Sequence, residues 1–188
     1  MPWKIVPALA AALLFSSAPL AISLSEDEMS ESLKNKIRMV QHMALNPLLI
    51  KAVRQQNFEA LNTETIDLRE QEWKTGSESI ELKTSMLAGD HAALMRRFID
   101  ENRGLLEIYL TDSRGANVAA YPLTDDYWQG DEEEWIKSFN DGKGRVFIGS
   151  LKRDEKTNSV FTHVSAPVFD RDKTIGVLVV AVRLGAIE

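Results

Sequence analysis

Between Glu26 and Asn46 the apolar residues Met29, Leu33, Ile37, Val40 and Ala44 recur at steps of three and four. This spacing lays one face of a helix against a core. The acidic run Ser25-Glu-Asp-Glu28 suits the positive start of that helix. Asn46-Pro47 ends it, because a residue before proline is pushed out of helical backbone angles. A second short helix is expected over Leu48–Gln56. Asn57–Gly76 is mixed and polar, with Ile66, Leu68 and Trp73 as its packing points. From Thr84 to Asn102 a further helix is predicted, with Leu87, His91, Leu94, Met95, Phe98 and Ile99 on one face and Gly104 as its stop.

After Gly104 the pattern changes. Leu105–Thr111 is rich in β-formers, Asp112-Ser-Arg-Gly115 reads as a turn, and Val118–Tyr121 returns as a strand. Pro122–Gly130 is a loop and Asp131–Phe139 a short helix. Arg145–Ser150 and Ser159–Val168 follow as strands, separated by a charged connector, Lys152–Asn158. Thr174–Leu184 (TIGVLVVAVRL) is almost continuously apolar, as a central strand covered on both faces would be. Short turns imply antiparallel neighbours. The expected class is α+β, a five-stranded antiparallel sheet packed on the long N-terminal helix, with the last strand beside the first.

The N-terminus has a different character. Lys4, the apolar run Ile5–Phe15 and the small residues of Ser16–Ala21 follow the order of a secretory signal. Residues 1–23 are read as a signal peptide, cleaved after Ala21 or Ser23, with an uncleaved inner-membrane anchor as the alternative. Residues 24–188 form a single domain, a length that can bury a core without staples. The net charge of −6 comes without any Lys/Arg cluster, which argues against nucleic acid as a partner. With no cysteine, disulfides, thiolate nucleophiles and zinc ribbons are excluded. The three histidines, His42, His91 and His163, lack ligand-like spacing, and nucleophile-elbow, zincin and phosphate-loop motifs are missing. Neither enzymatic activity, nor a metal, nor a cofactor is expected.

Several segments together resemble the extracellular PAS-like Cache (PDC) family of sensor domains, over roughly Glu26 to Leu184. They are the helix ending in Asn46-Pro47, YLTDSRGANVAAY with Asp112 and Gly115, YPLTDDYWQGDEEEW, GKGRVFIGS, and SAPVFDRDKTIGVLVVAV with Pro167, Asp170 and Gly176. The resemblance implies a PAS-like sheet with a pocket between its central strands and the loop and helix after the second strand. It further implies a periplasmic sensor of amino acids, amines or carboxylates that works with a membrane-bound signalling receptor. A homodimer through the N-terminal helix is one arrangement. Family receptors continue into a transmembrane helix, whereas this chain ends at Glu188, so a free-standing periplasmic member is expected.

Candidate ligand residues follow from that arrangement. Tyr121, Tyr127, Trp128 and Trp135 offer apolar walls with a polar tip, although Trp135 equally suits an anchor of its helix to the sheet. Asp131 could receive an ammonium group or cap the helix after it. Phe161, His163 and Ser165 alternate on one strand face, where His163 could meet a carboxylate or simply be solvated. Tyr109 would close the pocket floor. Tyr121, Trp128, Asp131, Phe161, His163 and Ser165 are expected to converge on one cavity. The competing reading is a ligand-free structural or interaction module of the envelope. A dry, filled sheet face would favour it, and a pocket with convergent polar groups would oppose it.

Overall fold

The computed structural model describes residues 30–75, 80–154 and 158–186. Residues 1–23, read above as a signal peptide, the acidic turn before the first helix and Met29 lie outside the described residues. Among the described residues no helix is long and apolar enough to cross a membrane.

Helix α1 spans Glu31–Ala44 and buries Leu33, Val40, Met43 and Ala44, following the predicted stripe. Ser30 caps it, its hydroxyl accepting from the Leu33 amide at 3.2 Å. Asn46 then caps α2 (Pro47–Glu59) through the Leu48 amide, with Pro47 in the first turn, where its missing N–H costs nothing. The polar stretch that follows is a helix, α3 (Thr63–Thr75). It buries Ile66 and Trp73 but leaves the predicted packing residue Leu68 55 % exposed. The predicted helix over Thr84–Asn102 is two, α4 (Ile80–Met86) and α5 (Gly89–Glu101). Gly89 at the junction has φ +84°, a left-handed angle that no continuous helix allows, and Leu87 turns outward.

Strands β1 (Leu105–Thr111), β2 (Asn117–Tyr121), β3 (Phe147–Ile148), β4 (Lys152–Asp154), β5 (Ser159–Asp170) and β6 (Lys173–Ala186) form one antiparallel sheet. Its order is β2-β1-β6-β5-β3, with β4 also paired to β5. The first and last long strands are neighbours and β6 is central, as its apolar run demands. The start of the charged connector is a sixth strand, because Lys152–Asp154 pairs with Ser159–Phe161. The third predicted strand narrows to two residues. The result is an α+β fold with a PAS-like sheet order.

Strand alternation divides the sheet chemically. One face (Leu105, Ile108, Leu110, Val164, Val168, Leu178, Val180) packs on Leu33 and Val40 of α1, Leu49 and Val53 of α2, and Met95 of α5. The other carries Tyr109, Ala120, Val177 and Val179, against which Trp135 and Phe139 of helix α6 (Glu133–Phe139) pack. α6 begins two residues later than predicted. The β1–β2 turn is held by Asp112, whose Oδ1 accepts from the amides of Arg114 (2.8 Å) and Ala116 (3.0 Å). Gly115 in that turn has φ +83°, and a Cβ there would collide with the Gly130 backbone, so glycine is what lets the following loop close on the hairpin.

Candidate functional site

The second sheet face supports a cluster of ionised groups. Glu107 on β1 and His163 on β5 are both paired in register with Ala181 of the strand between them. Their strands lie about 10 Å apart. Since Ala181 ends at a methyl group, the two long side chains meet over it, and His163 Nε2 donates to Glu107 Oε1 at 2.8 Å. Nδ1 donates at 2.7 Å to Glu134 Oε1, from α6. Lys152 Nζ on β4 donates at 2.9 Å to the same oxygen, which brings it within 3.2 Å of Nδ1. Ionised carboxylates only accept, so both ring nitrogens act as donors and His163 is an imidazolium.

The electrostatics agree with this geometry. Burial opposes charge on His163, but the hydrogen bonds to Glu107 and Glu134 outweigh it and raise its pKa above 6.5. Burial likewise opposes charge on Glu134, yet His163 and Lys152 hold its carboxyl down to about 2. Tyr109, on the same face, is pushed well up from its ordinary value by burial and by Glu134, and stays a neutral phenol.

Beside this cluster opens a cavity of ≈ 210 Å³, lined by Glu107, Tyr109, Thr124, Asp125, Asp126, Gln129, Glu132, Glu134, Lys152 and His163. Five carboxyl groups therefore face Lys152 and His163. Glu134 is consumed by its two cations, whereas among the described residues Glu107 Oε2 accepts no hydrogen bond. The loop over the cavity is firmly tied. Glu70 of α3 accepts from the amides of Tyr127 (2.8 Å) and Trp128 (2.9 Å), Asn117 donates to Thr124 Oγ1 (2.8 Å), and Trp73 Nε1 donates to Thr124 O (3.0 Å).

The predicted site residues part company here. Tyr109 and His163 line the cavity. Phe161 stands edge-on to His163 at 5.6 Å between ring centres, and Ser165 continues the same strand face, buried, with its hydroxyl unpartnered. Trp135 lies stacked on Phe139 at 4.8 Å and donates to Asp112 O, the arrangement of an anchor between α6 and the sheet. The expected convergence is corrected: Phe161 and Ser165 do not line the cavity, and four further candidates lie elsewhere. Tyr121 pairs with Ile108, so it points to the helix-covered face, where its hydroxyl donates to Asp100. Tyr127 is fully buried among Leu61, Ile66 and Trp73, its hydroxyl bonded by Arg69. Trp128 lies against Gly130, its indole N–H donating to Arg114 O, away from the cavity. Asp131 is exposed and neither lines the cavity nor caps α6, whose N-cap is Glu132 without a side-chain bond.

Glu107 and Glu134 were not singled out as ligand residues. Glu107 was legible as a charge inside the strand LLEIYLT, two residues from Tyr109 and so on its face. Glu134 was hidden in an acidic run, which suits a helix start equally well.

No family model matches the chain, and no curated protein sequence matches it. Solved structures with similar folds include the ligand-binding domain of the Pseudomonas aeruginosa amino acid chemoreceptor PctC in complex with GABA. It is 15% identical, with a TM-score of 0.41, over 69% of this chain and 62% of that one. The ligand-binding domain of the Campylobacter jejuni chemoreceptor Tlp3, in complex with 4-methylisoleucine, is 12% identical with a TM-score of 0.40, over 86% and 64%. The sensor domain of the Vibrio cholerae histidine kinase DctB is 12% identical with a TM-score of 0.37, over 82% and 58%. The chain thus spans less than two thirds of each of these domains, and the residue roles above rest on its own geometry. In fold, the chain is similar to sensor domains of bacterial chemoreceptors and histidine kinases.

Proposed function

We propose that this chain is the ligand-binding module of an extracytoplasmic sensor, a Cache-type domain that reports a small polar metabolite to a membrane-bound receptor. The observation that carries the reading is the cavity over Glu107, Tyr109 and His163. A ligand-free structural module has no need of an open sheet face with convergent polar groups, and a filled face would have spoken for one. The excess of carboxyl groups around the cavity favours a ligand with an ammonium group, an amine or amino acid. Glu107 is its anchor, because its second oxygen is available while Glu134 is held by His163 and Lys152.

Calorimetric titration with amines, amino acids and carboxylates tests this. An ammonium-bearing ligand should bind, and Glu107→Gln should weaken it about ten- to a hundredfold, the equivalent of one charge-assisted hydrogen bond of about 1.5–3 kcal/mol. Carboxylates binding better than amines, or Glu107→Gln binding as tightly as wild type, would overturn the assignment. Export belongs to the same proposal and rests on residues 1–23. The mature chain should begin near Ile22 or Leu24, which the mass of the protein recovered from a periplasmic extract reads directly.

A further inference from the structure

The helix-covered side of the molecule holds a larger cavity of ≈ 410 Å³, between α2, α3, α4, the start of α5 and Val118 of β2. Val118 belongs to the core on the sheet face opposite Glu107 and His163, so this cavity and the first lie on different faces. Helix α2 lends it Lys51, Gln55 and Glu59, which at a spacing of four share one side of that helix. Arg69 of α3 and Asp90 and His91 of α5 complete the polar wall.

None of these charges is spent. Among the described residues Lys51, Glu59, Arg69 and Asp90 make no ion pair. Arg69 is half-buried, and its guanidinium gives one hydrogen bond, at 3.1 Å, to the neutral Tyr127 hydroxyl. A guanidinium has five donors, so most of its capacity faces the cavity unused. Glu59, at the end of α2, lines the same cavity. An unpaired cation and an unpaired carboxylate thus line one cavity without closing on each other. The lining as a whole balances Lys51 and Arg69 against Glu59 and Asp90, while burial keeps His91 towards its neutral form.

A net anion would meet Glu59 and Asp90, and a net cation would meet Lys51 and Arg69. The ligand that satisfies both signs is a molecule with a carboxylate and an ammonium a few ångströms apart and no net charge. We propose that this cavity is a second binding site, for a neutral α-amino acid, its carboxylate held by the Arg69 guanidinium and its ammonium by Glu59. The planar fork of arginine matches a carboxylate in two parallel hydrogen bonds, and the remaining volume, bordered by Leu82 and Met86, receives the side chain. None of these residues lines the first cavity.

Calorimetric titration of the full chain with L-alanine, L-leucine and L-glutamine tests it, with acetate and ethylammonium as controls that carry one charge each. At least one amino acid should bind, and each control should bind at least tenfold more weakly to this site. Arg69→Gln and Glu59→Gln should each weaken the amino acid at least tenfold, whereas Asp131→Ala, at an exposed position that lines neither cavity, should leave it unchanged. Glu59 is exposed at the end of α2, so Glu59→Gln keeps the test valid should Arg69→Gln lower stability. Absence of binding by all three amino acids overturns the proposal, as does unaltered affinity in both variants. Loss of binding in Glu107→Gln alone assigns the amino acid to the first cavity and equally overturns it.

Discussion

Glu107 and His163 sit on strands that do not touch, and they meet at 2.8 Å only because the residue between them on β6 is Ala181. A larger side chain there would stand in the path of the hydrogen bond. Ala181→Leu is therefore expected to separate the pair and to overfill a position that is 1% exposed, with a loss of about 1–3 kcal/mol in denaturant unfolding. The same variant should abolish ammonium binding at the first cavity. Wild-type stability together with wild-type affinity in Ala181→Leu would show that the Glu107–His163 contact carries neither.

Ser165 lies two residues along the same face, paired with Val179, and its buried hydroxyl has no partner. A buried polar group without a hydrogen bond costs stability, whereas a methyl group of nearly the same size does not. Ser165→Ala should therefore raise the unfolding free energy by up to about 1 kcal/mol. A loss of that size would mean that the hydroxyl is hydrogen-bonded in solution.

How much of this could be read in the chain divides along a physical line. The α1 stripe, the Asn46-Pro47 break, the Asp112 turn and the central position of β6 depend on local periodicity and turn chemistry, and all were legible. The split between α4 and α5 was not, because the apolar stripe passes through the junction and only the positive φ of Gly89 breaks it. The site was legible for His163 and Tyr109, which alternation places on the open face. It failed for Tyr121, whose side of the sheet is fixed by its register with Ile108, a long-range fact. Tyr127 and Trp128 failed because α3, hidden in a polar stretch, drew one into its own core and tied down the loop carrying both.

Asp131 and Glu107 give a direct contrast between the site expected from the chain and the one built by the sheet. Asp131 is exposed, lines neither cavity and caps no helix. Asp131→Ala should leave ligand affinity unchanged and stability within about 0.5 kcal/mol, as for ordinary surface positions. A tenfold loss of affinity in Asp131→Ala, with Glu107→Gln silent, would return the ammonium site to the loop before α6.

The charged cluster makes stability depend on pH with two limbs of opposite sign. The groups facing His163 are Glu107 from β1, Glu134 from α6 and Lys152 from β4, with Phe161 edge-on from its own strand. Its pKa is raised on folding from 6.5, so the folded state binds the proton more tightly than the unfolded chain. That contribution is complete below pH 6.5 and is lost as pH rises through the raised value. Glu134 runs the other way. Its pKa falls on folding from 4.5 to about 2, so its contribution is complete above pH 4.5 and is lost as pH falls towards 2. The cluster therefore stabilises most between these limbs, in mildly acidic solution. Urea unfolding from pH 3 to 9 should show that plateau, and His163→Gln should remove the alkaline limb while leaving most of the acid one, since Lys152 still pairs with Glu134 at 2.9 Å. If the wild type instead gained stability between pH 6.5 and 9 relative to His163→Gln, His163 would have to be neutral in the folded protein, and the imidazolium bridge between Glu107 and Glu134 would be wrong.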